Sequence, residues 1–273
     1  MDSFASGFAK VDKTNDADSF VQYLDLIHSI PFFRESKTQS YCKLNLSPGD
    51  SVLEIGCGNG TDLNNLAKSV GNLGMAVGID ISSTMLNAAR KNATAINCHP
   101  ECILCDGLHL AFPTNTFHGV RSDRVIQHTS DPFAVIKEIA RVTRPEGRVV
   151  IFEPDWETYT LWPGDPKVCR KVMNFWCDNI PSGKVGRLLY AAFSDAALIE
   201  IEVYPYTLTV TNLSLARQIF DLDTTFSLAV REGIVNQTEV NQWEEELSQA
   251  DHTGQFFSTL TFFLVTGKKQ SPC

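Results

Sequence analysis

The stretch that most constrains this chain runs from Ser51 to Gly60 and reads SVLEIGCGNG. A short β-rich run enters a turn with glycines at alternate positions, Gly56, Gly58 and Gly60, and Glu54 lies two residues before the first of them. A run with helical spacing follows at once. Glycine reaches positive φ and carries no Cβ, so backbone at such a turn can approach a ligand closely. The N-terminus of the following helix adds unpaired N–H groups and a partial positive charge. The stretch therefore predicts a strand–loop–helix unit built to bring backbone against a bound molecule.

The pattern then alternates. Residues 61–71 read as a helix, 75–81 as a strand and 82–93 as a helix opened by serine caps. Residues 101–107 form the next strand, 118–125 contain another, and 131–143 form a helix with Asp131 as cap and Pro132 at its first position. Residues 148–154 give the fifth strand. Strand and helix in alternation mean right-handed βαβ units and a parallel sheet, a doubly wound α/β fold of Rossmann-like type. Ligands in such sheets bind beyond the carboxyl ends of the strands, where the strand order reverses. Outside this core, residues 19–46 are helical with a break at Pro31. Residues 184–198 hold a helix, 199–210 a strand, 213–252 two helical stretches and 254–269 a last strand. The expectation is one domain over 1–273. It comprises an N-terminal helical lid over 1–46, a ligand-binding core over 50–154, cap insertions at 156–183 and 213–252, and the last strand at 254–269.

Composition narrows the function classes. The 273 residues carry a formal net charge of −9 and no basic stripe, which argues against nucleic acid as a partner. No apolar run reaches the length of a membrane span. The first twenty residues lack an apolar signal core, so no secretory leader is expected. Eight cysteines are too few for a disulfide scaffold of this length, and reduced thiols in a cytoplasmic protein are the expectation.

Dinucleotide sites use G-x-G-x-x-G. Here the spacing is G-x-G-x-G with an acid ahead of it, and a carboxylate suits a cationic ligand better than a pyrophosphate. This stretch resembles motif I of the class I S-adenosylmethionine-dependent methyltransferases. The resemblance extends to GIDIS, which sets Asp80 at the end of the second strand, 24 residues after Gly56, and to CDG, which sets Asp106 at the end of the third. RSDRVIQH follows the fourth strand, and RPEGRVVIFEP is similar to the family's last turn and fifth strand. The chain looks closest to the small-molecule enzymes of ubiquinone and menaquinone biosynthesis, and EPDWET is similar to a bacterial subgroup of these. One departure is Phe117-His118, where the family usually has Phe-Asp; the position opens a strand and touches no cofactor contact.

The resemblance implies S-adenosyl-L-methionine as cofactor and methyl transfer to O, N or C of a small, partly apolar acceptor. It implies cofactor contacts from Glu54, Gly56, Cys57, Gly58, Gly60, Asp80, Ile81, Asp106, Gly107 and Arg124. Asp80 would accept from the two ribose hydroxyls and Asp106 would face the adenine. His128 is the candidate general base, with Tyr23, Gln127, Trp156 and Tyr159 as candidate acceptor contacts. Each position also has an ordinary structural reading: solvated strand ends for the two aspartates, a structural histidine, and core packing for the aromatics. Cys98, His99, Cys102 and Cys105 look like zinc ligands. A separation of three on a strand points Cys102 and Cys105 to opposite faces, so no metal is expected. Three other functions remain open on sequence: an NAD-dependent oxidoreductase, an enzyme of this fold that binds the cofactor but transfers no methyl group, and a non-catalytic partner subunit.

Overall fold

The computed structural model describes residues 7–13, 17–95 and 99–271. Among them an eight-stranded sheet is covered by helices on both faces. The strands are β1 (Ser51–Ile55), β2 (Met75–Asp80), β3 (Glu101–Leu104), β4 (Phe117–Asp123), β5 (Thr143–Pro154), β6 (Thr160–Trp162), β7 (Leu198–Val210) and β8 (Phe257–Lys269). The helices are α1 (Ala17–Ser29), α2 (Pro31–Leu44), α3 (Thr61–Val70), α4 (Ser83–Ala95), α5 (Pro132–Val142), α6 (Pro166–Asp178), α7 (Val185–Asp195), α8 (Leu213–Phe220), α9 (Leu222–Arg231) and α10 (Gln237–His252).

β3, β2, β1, β4 and β5 lie side by side and parallel, and β8 runs antiparallel beyond β5. The chain order reverses between β1 and β4. This is the doubly wound, mostly parallel sheet expected, with eight strands instead of seven. The eighth comes from an interruption. β8 pairs with β5 over residues 262–268, with β6 over 257–259, and with β7 over 258–269. Since β7 occupies one edge of β8, β6 continues the line of β5 on the other. The segment expected as a pure cap, 156–183, thus returns three residues to the sheet before α6.

Alternation along β1 sorts the two cores. Val52 belongs to the cluster that draws on α2, α3 and α8 to α10, whereas Leu53 and Ile55 belong to the one that draws on α5 and α7. Caps set the helix starts. The Asp131 carboxylate accepts from Ala134 N–H at 2.9 Å with Pro132 at the first position, and Asn236 and Glu239 form a reciprocal capping box on α10. Residues 213–252 form three helices instead of two, because Asp221 adopts φ 49° and turns the chain between α8 and α9.

Candidate active site

The carboxyl ends of β1 to β5 converge on a cavity of about 320 Å³ at the point where the strand order reverses. One half is lined by Gly56, Gly58, Asp80, Ile81, Asp106 and Gly107. Gly58 holds φ 51°, and a Cβ there would meet Leu24 at 3.0 Å, so the loop is bare backbone facing the space. Gly56 holds φ 65°, and a Cβ would fall 2.3 Å from Val125 Cγ2, so the loop after β4 is packed onto the glycine turn. The Asp80 carboxylate accepts from Gly58 N–H and Ser82 N–H, both at 2.9 Å. Burial pushes its pKa above the usual range against those two amides. Each of its oxygens keeps acceptor capacity for a hydroxyl pair. Ile81 is 50% exposed beside it, an apolar shelf, and Asp106 stands exposed at the next strand end, held by Leu108 N–H at 2.9 Å. A bare glycine cradle, a carboxylate for a diol and an apolar ledge with a second acid form a set that suits an adenosyl group.

The other half is aromatic: Phe8, Tyr23, Phe33, Trp156, Trp176 and Phe220 face it together with His128. The loop after β4 carries Arg124, Val125, Gln127 and His128 into this space. Glu153, fully buried on β5, fixes that loop. Its carboxylate accepts from Val125, Ile126 and Gln127 N–H at 2.8, 2.7 and 3.3 Å. Burial lifts its pKa to about 8, with the three amides opposing. Gln127, expected to bond the acceptor, spends its amide inside the protein: Oε1 accepts from Trp156 Nε1–H at 2.8 Å and Nε2 donates to Arg124 O at 3.1 Å. It lines the cavity as a clamp. The His128 ring centroid lies 5.6 Å from that of Phe8. Arg124 adopts φ 56°, donates from Nε to Asp123 at 2.8 Å and stacks over Phe33 at 4.8 Å. Among the described residues its two terminal nitrogens have no hydrogen-bond partner, which leaves a fixed donor fork at the cavity edge.

Four expected contacts lie off the cavity. The Glu54 carboxylate does not line the cavity. It is 1% exposed and pairs with Arg121, its register partner on β4. Arg121 also reaches Asp62 at 3.3 Å and Asp123 at 2.7 Å, and Lys37 of α2 bonds Asp62 and lies 3.5 Å from Asp123. Three carboxylates thus meet Lys37, Arg121 and Arg124 in one buried network, with His28 3.5 Å from Asp62. The Cys57 side chain turns beneath the loop into the core. Gly60 serves helix packing, since a Cβ would fall 2.8 Å from that of Ala89 on α4. Tyr159 is buried behind the wall, its ring 4.5 Å from Phe220. Cys102 and Cys105 part as expected: Cys102 packs against the core cluster that holds Cys57, while the Cys105 thiol meets the carbonyls of Asp106 and His109 at 3.5 Å. Cys98 lies outside the described residues. Sequence reasoning missed Phe8, Phe220 and Asp221 as cavity residues and Arg121 as the partner of Glu54. For the last a signal existed, an arginine in the middle of a strand opposite an acid in β1.

Residues 53–151 match a family described as a methyltransferase domain. A protein of Streptomyces fradiae, described as an uncharacterized 37.1 kDa protein in a transposon, is 33% identical over 91% of this chain and 71% of its own length. The demethylmenaquinone methyltransferase of Lactobacillus johnsonii is 33% identical over 46% of this chain; the match spans 57% of that enzyme. Among solved structures, phosphoethanolamine N-methyltransferase 2 of Haemonchus contortus, in complex with S-adenosyl-L-methionine, shares the fold. Its TM-score is 0.61 at 19% identity, covering 99% of this chain and 61% of that one. No helix among the described residues is long and apolar enough to cross a membrane.

Proposed function

From the premise that this chain belongs to the class I S-adenosylmethionine-dependent methyltransferases, of the menaquinone and ubiquinone type, we propose that its acceptor is a small hydroxylated aromatic molecule methylated at oxygen or ring carbon. One observation carries the reading: the cavity that begins at Asp80 and Gly58 runs without interruption between Trp156, Trp176 and Phe220 to His128. A planar apolar ring suits such walls, with stacked or edge-on contacts. The demethylmenaquinone enzyme of Lactobacillus johnsonii is named for an acceptor of that kind.

When bound, S-adenosylmethionine supplies an electrophilic methyl group on a sulfonium. In this reading Asp80 holds the ribose hydroxyls, Ile81 and Asp106 hold the adenine, and the Gly56–Gly58 backbone and the Arg124 fork hold the amino-acid end. The aromatic walls set the ring at an attack distance of about 3–3.5 Å and exclude water. A phenolic hydroxyl of pKa near 10 is only about 0.1% ionised at pH 7. His128 takes its proton, a contribution of roughly 10²–10⁴ in rate. Glu153 keeps His128 in place by holding the three amides before it. Gln127 keeps Trp156 upright through its indole N–H.

The test is transfer of labelled methyl from S-adenosylmethionine to naphthalene-1,4-diol, with 1-naphthylamine as the comparison. Labelled product from the diol, lost in His128→Ala, is the expected result. Label on the amine alone, or on neither, sinks the acceptor assignment.

A further inference from the structure

β1, β2, β3 and β4 carry a registered row on one face of the sheet: Cys102, Gly78, Glu54 and Arg121. The second member has no side chain. Into the space above it drops the Cys57 thiol: a Cβ on Gly78 would fall 2.9 Å from Cys57 Sγ and 2.8 Å from its Cβ. Cys57 is placed there by its backbone, whose N–H donates to Ile79 O at 2.8 Å. Cys102 stands on the same face one strand away, about 4.8 Å across. Each thiol therefore lies close enough to shift the titration of the other, Cys57 upward and Cys102 downward. Cys57 is 6% exposed, whereas Cys102 is half-buried and reachable from solvent.

Resting on the cofactor reading above, we propose that Cys57 and Cys102 form a thiol–disulfide modification site that weakens cofactor binding when oxidised. The oxidant class is a low-molecular-weight disulfide such as glutathione disulfide. The Cys102 thiolate attacks one of its sulfurs and releases the first glutathione. The Cys57 sulfur then attacks the Cys102 side of the mixed disulfide and releases the second. Two protein thiols are oxidised, one disulfide is reduced to two thiols, and both protons end on glutathione. The neighbouring Cys57 thiol and the nearby Arg90 guanidinium bring the Cys102 thiol down to about 7, which suits it as the attacking group.

The consequence follows from bond length. A disulfide holds its sulfurs about 2.0 Å apart, closer than two unbonded thiols can approach. Closing that gap pulls on Cys57, which sits between Gly56 and Gly58, the two cavity-lining glycines at positive φ. Gly58 N–H is also the donor that holds Asp80. A shift there displaces the backbone cradle and the ribose acid together.

The test compares S-adenosylhomocysteine affinity by calorimetry before and after glutathione disulfide, with fragmentation mass spectrometry to locate the linkage. A Cys57–Cys102 bond, an affinity at least tenfold weaker, and recovery on dithiothreitol are expected. Cys102→Ser should keep the reduced protein's affinity within threefold and ignore the oxidant. Oxidation elsewhere, or a Cys57–Cys102 bond with unchanged affinity, overturns the proposal while leaving the cofactor assignment intact. Reduced protein that binds no S-adenosylhomocysteine overturns the cofactor assignment and the switch with it.

Discussion

At the scale of single residues, Asp80 links the glycine loop, the start of α4 and the glycine-lined half of the cavity. Its carboxylate braces Gly58 and Ser82 and still faces the open space. Asp80→Ala removes both braces and, on the proposed reading, the ribose acceptor. S-adenosylhomocysteine affinity should fall at least tenfold, about 1.4 kcal/mol, by calorimetry on folded protein. Unchanged affinity would remove Asp80 from the site. Arg121 makes the opposite case, a charged side chain whose role is internal. It is fully buried against Glu54, Asp62 and Asp123. Arg121→Leu strands those carboxylates with too little positive charge. Urea unfolding at pH 7 should show a loss of about 3–5 kcal/mol, the cost of breaking a buried pair from one side.

At the scale of elements, the N-terminal region divides. α2 begins at Pro31 and buries Phe33, Ser36, Lys37, Ser40 and Leu44 against the sheet. Lys37 enters the buried network, Ser40 accepts from Arg121 Nε at 2.7 Å, and Tyr41 donates to Asp62 at 2.7 Å. A helix held in this way is a wall. The short 3₁₀ segment Phe8–Lys13 is attached by side chains: Val11 and Phe8 pack on Phe20 and Met85, and Asp12 accepts from Ser83 N–H at 2.7 Å and Thr84 N–H at 3.2 Å. Hydrogen exchange without ligand should therefore find α2 as slow as β1 and β4, and Phe8–Lys13 fast, slowing when S-adenosylhomocysteine is added. Fast exchange along α2 would restore the idea of a wholly mobile helical lid. On the opposite wall, the break between β5 and β6 lets Trp156 leave the sheet and reach Gln127. Trp156→Ala should cut acceptor turnover while S-adenosylhomocysteine affinity stays within about threefold, below ~0.7 kcal/mol. A parallel loss of both would place Trp156 in the cofactor half instead.

At the scale of the whole molecule, one hydrophobic cluster joins Ile27 and Phe33, the sheet residues Val52 and Phe152, and the cap residues Phe220, Trp243 and Leu247. Cap and sheet share a core, so fluorescence and circular dichroism should report one coincident urea transition. Separate midpoints would make the cap an independent unit. The pH dependence has two limbs. Burial opposes ionisation of Asp62 and Asp123, but Lys37 and the neighbouring arginines outweigh it and hold both below the usual carboxylate range. Their stabilisation is complete above the unfolded pKa near 3.9 and is lost as pH falls below it. Glu153 acts in the other direction. Its carboxyl is lifted to about 8, so folding takes up a proton between about 4.5 and 8, and stability rises as pH falls through that window. The urea midpoint should peak near pH 5, below its value there at both pH 8 and pH 3; a midpoint that climbs steadily to pH 8 would contradict the placement of Glu153.

Local chemistry made much of this legible beforehand. Glycines at 56, 58 and 60, strand ends at Asp80 and Asp106, and caps such as Asp131-Pro132 act over a few residues, so the βαβ order, the sheet class and the lining of the cavity's glycine-rich half could be read from the sequence. Periodicity says which face of an element is buried but not what lies opposite it. Only the tertiary structure paired Glu54 with Arg121 across β1 and β4, closed Gln127 onto Trp156, and brought Phe8, Phe220 and Asp221 to one cavity. Gln127 and Trp156 are 29 residues apart, Glu54 and Arg121 are 67 apart, and Phe8 is 212 from Phe220. Register and packing between distant segments bring them together, and no local propensity encodes that. Glu54 is the plainest case: its sequence neighbours point to a ligand, and its spatial neighbour is a buried guanidinium.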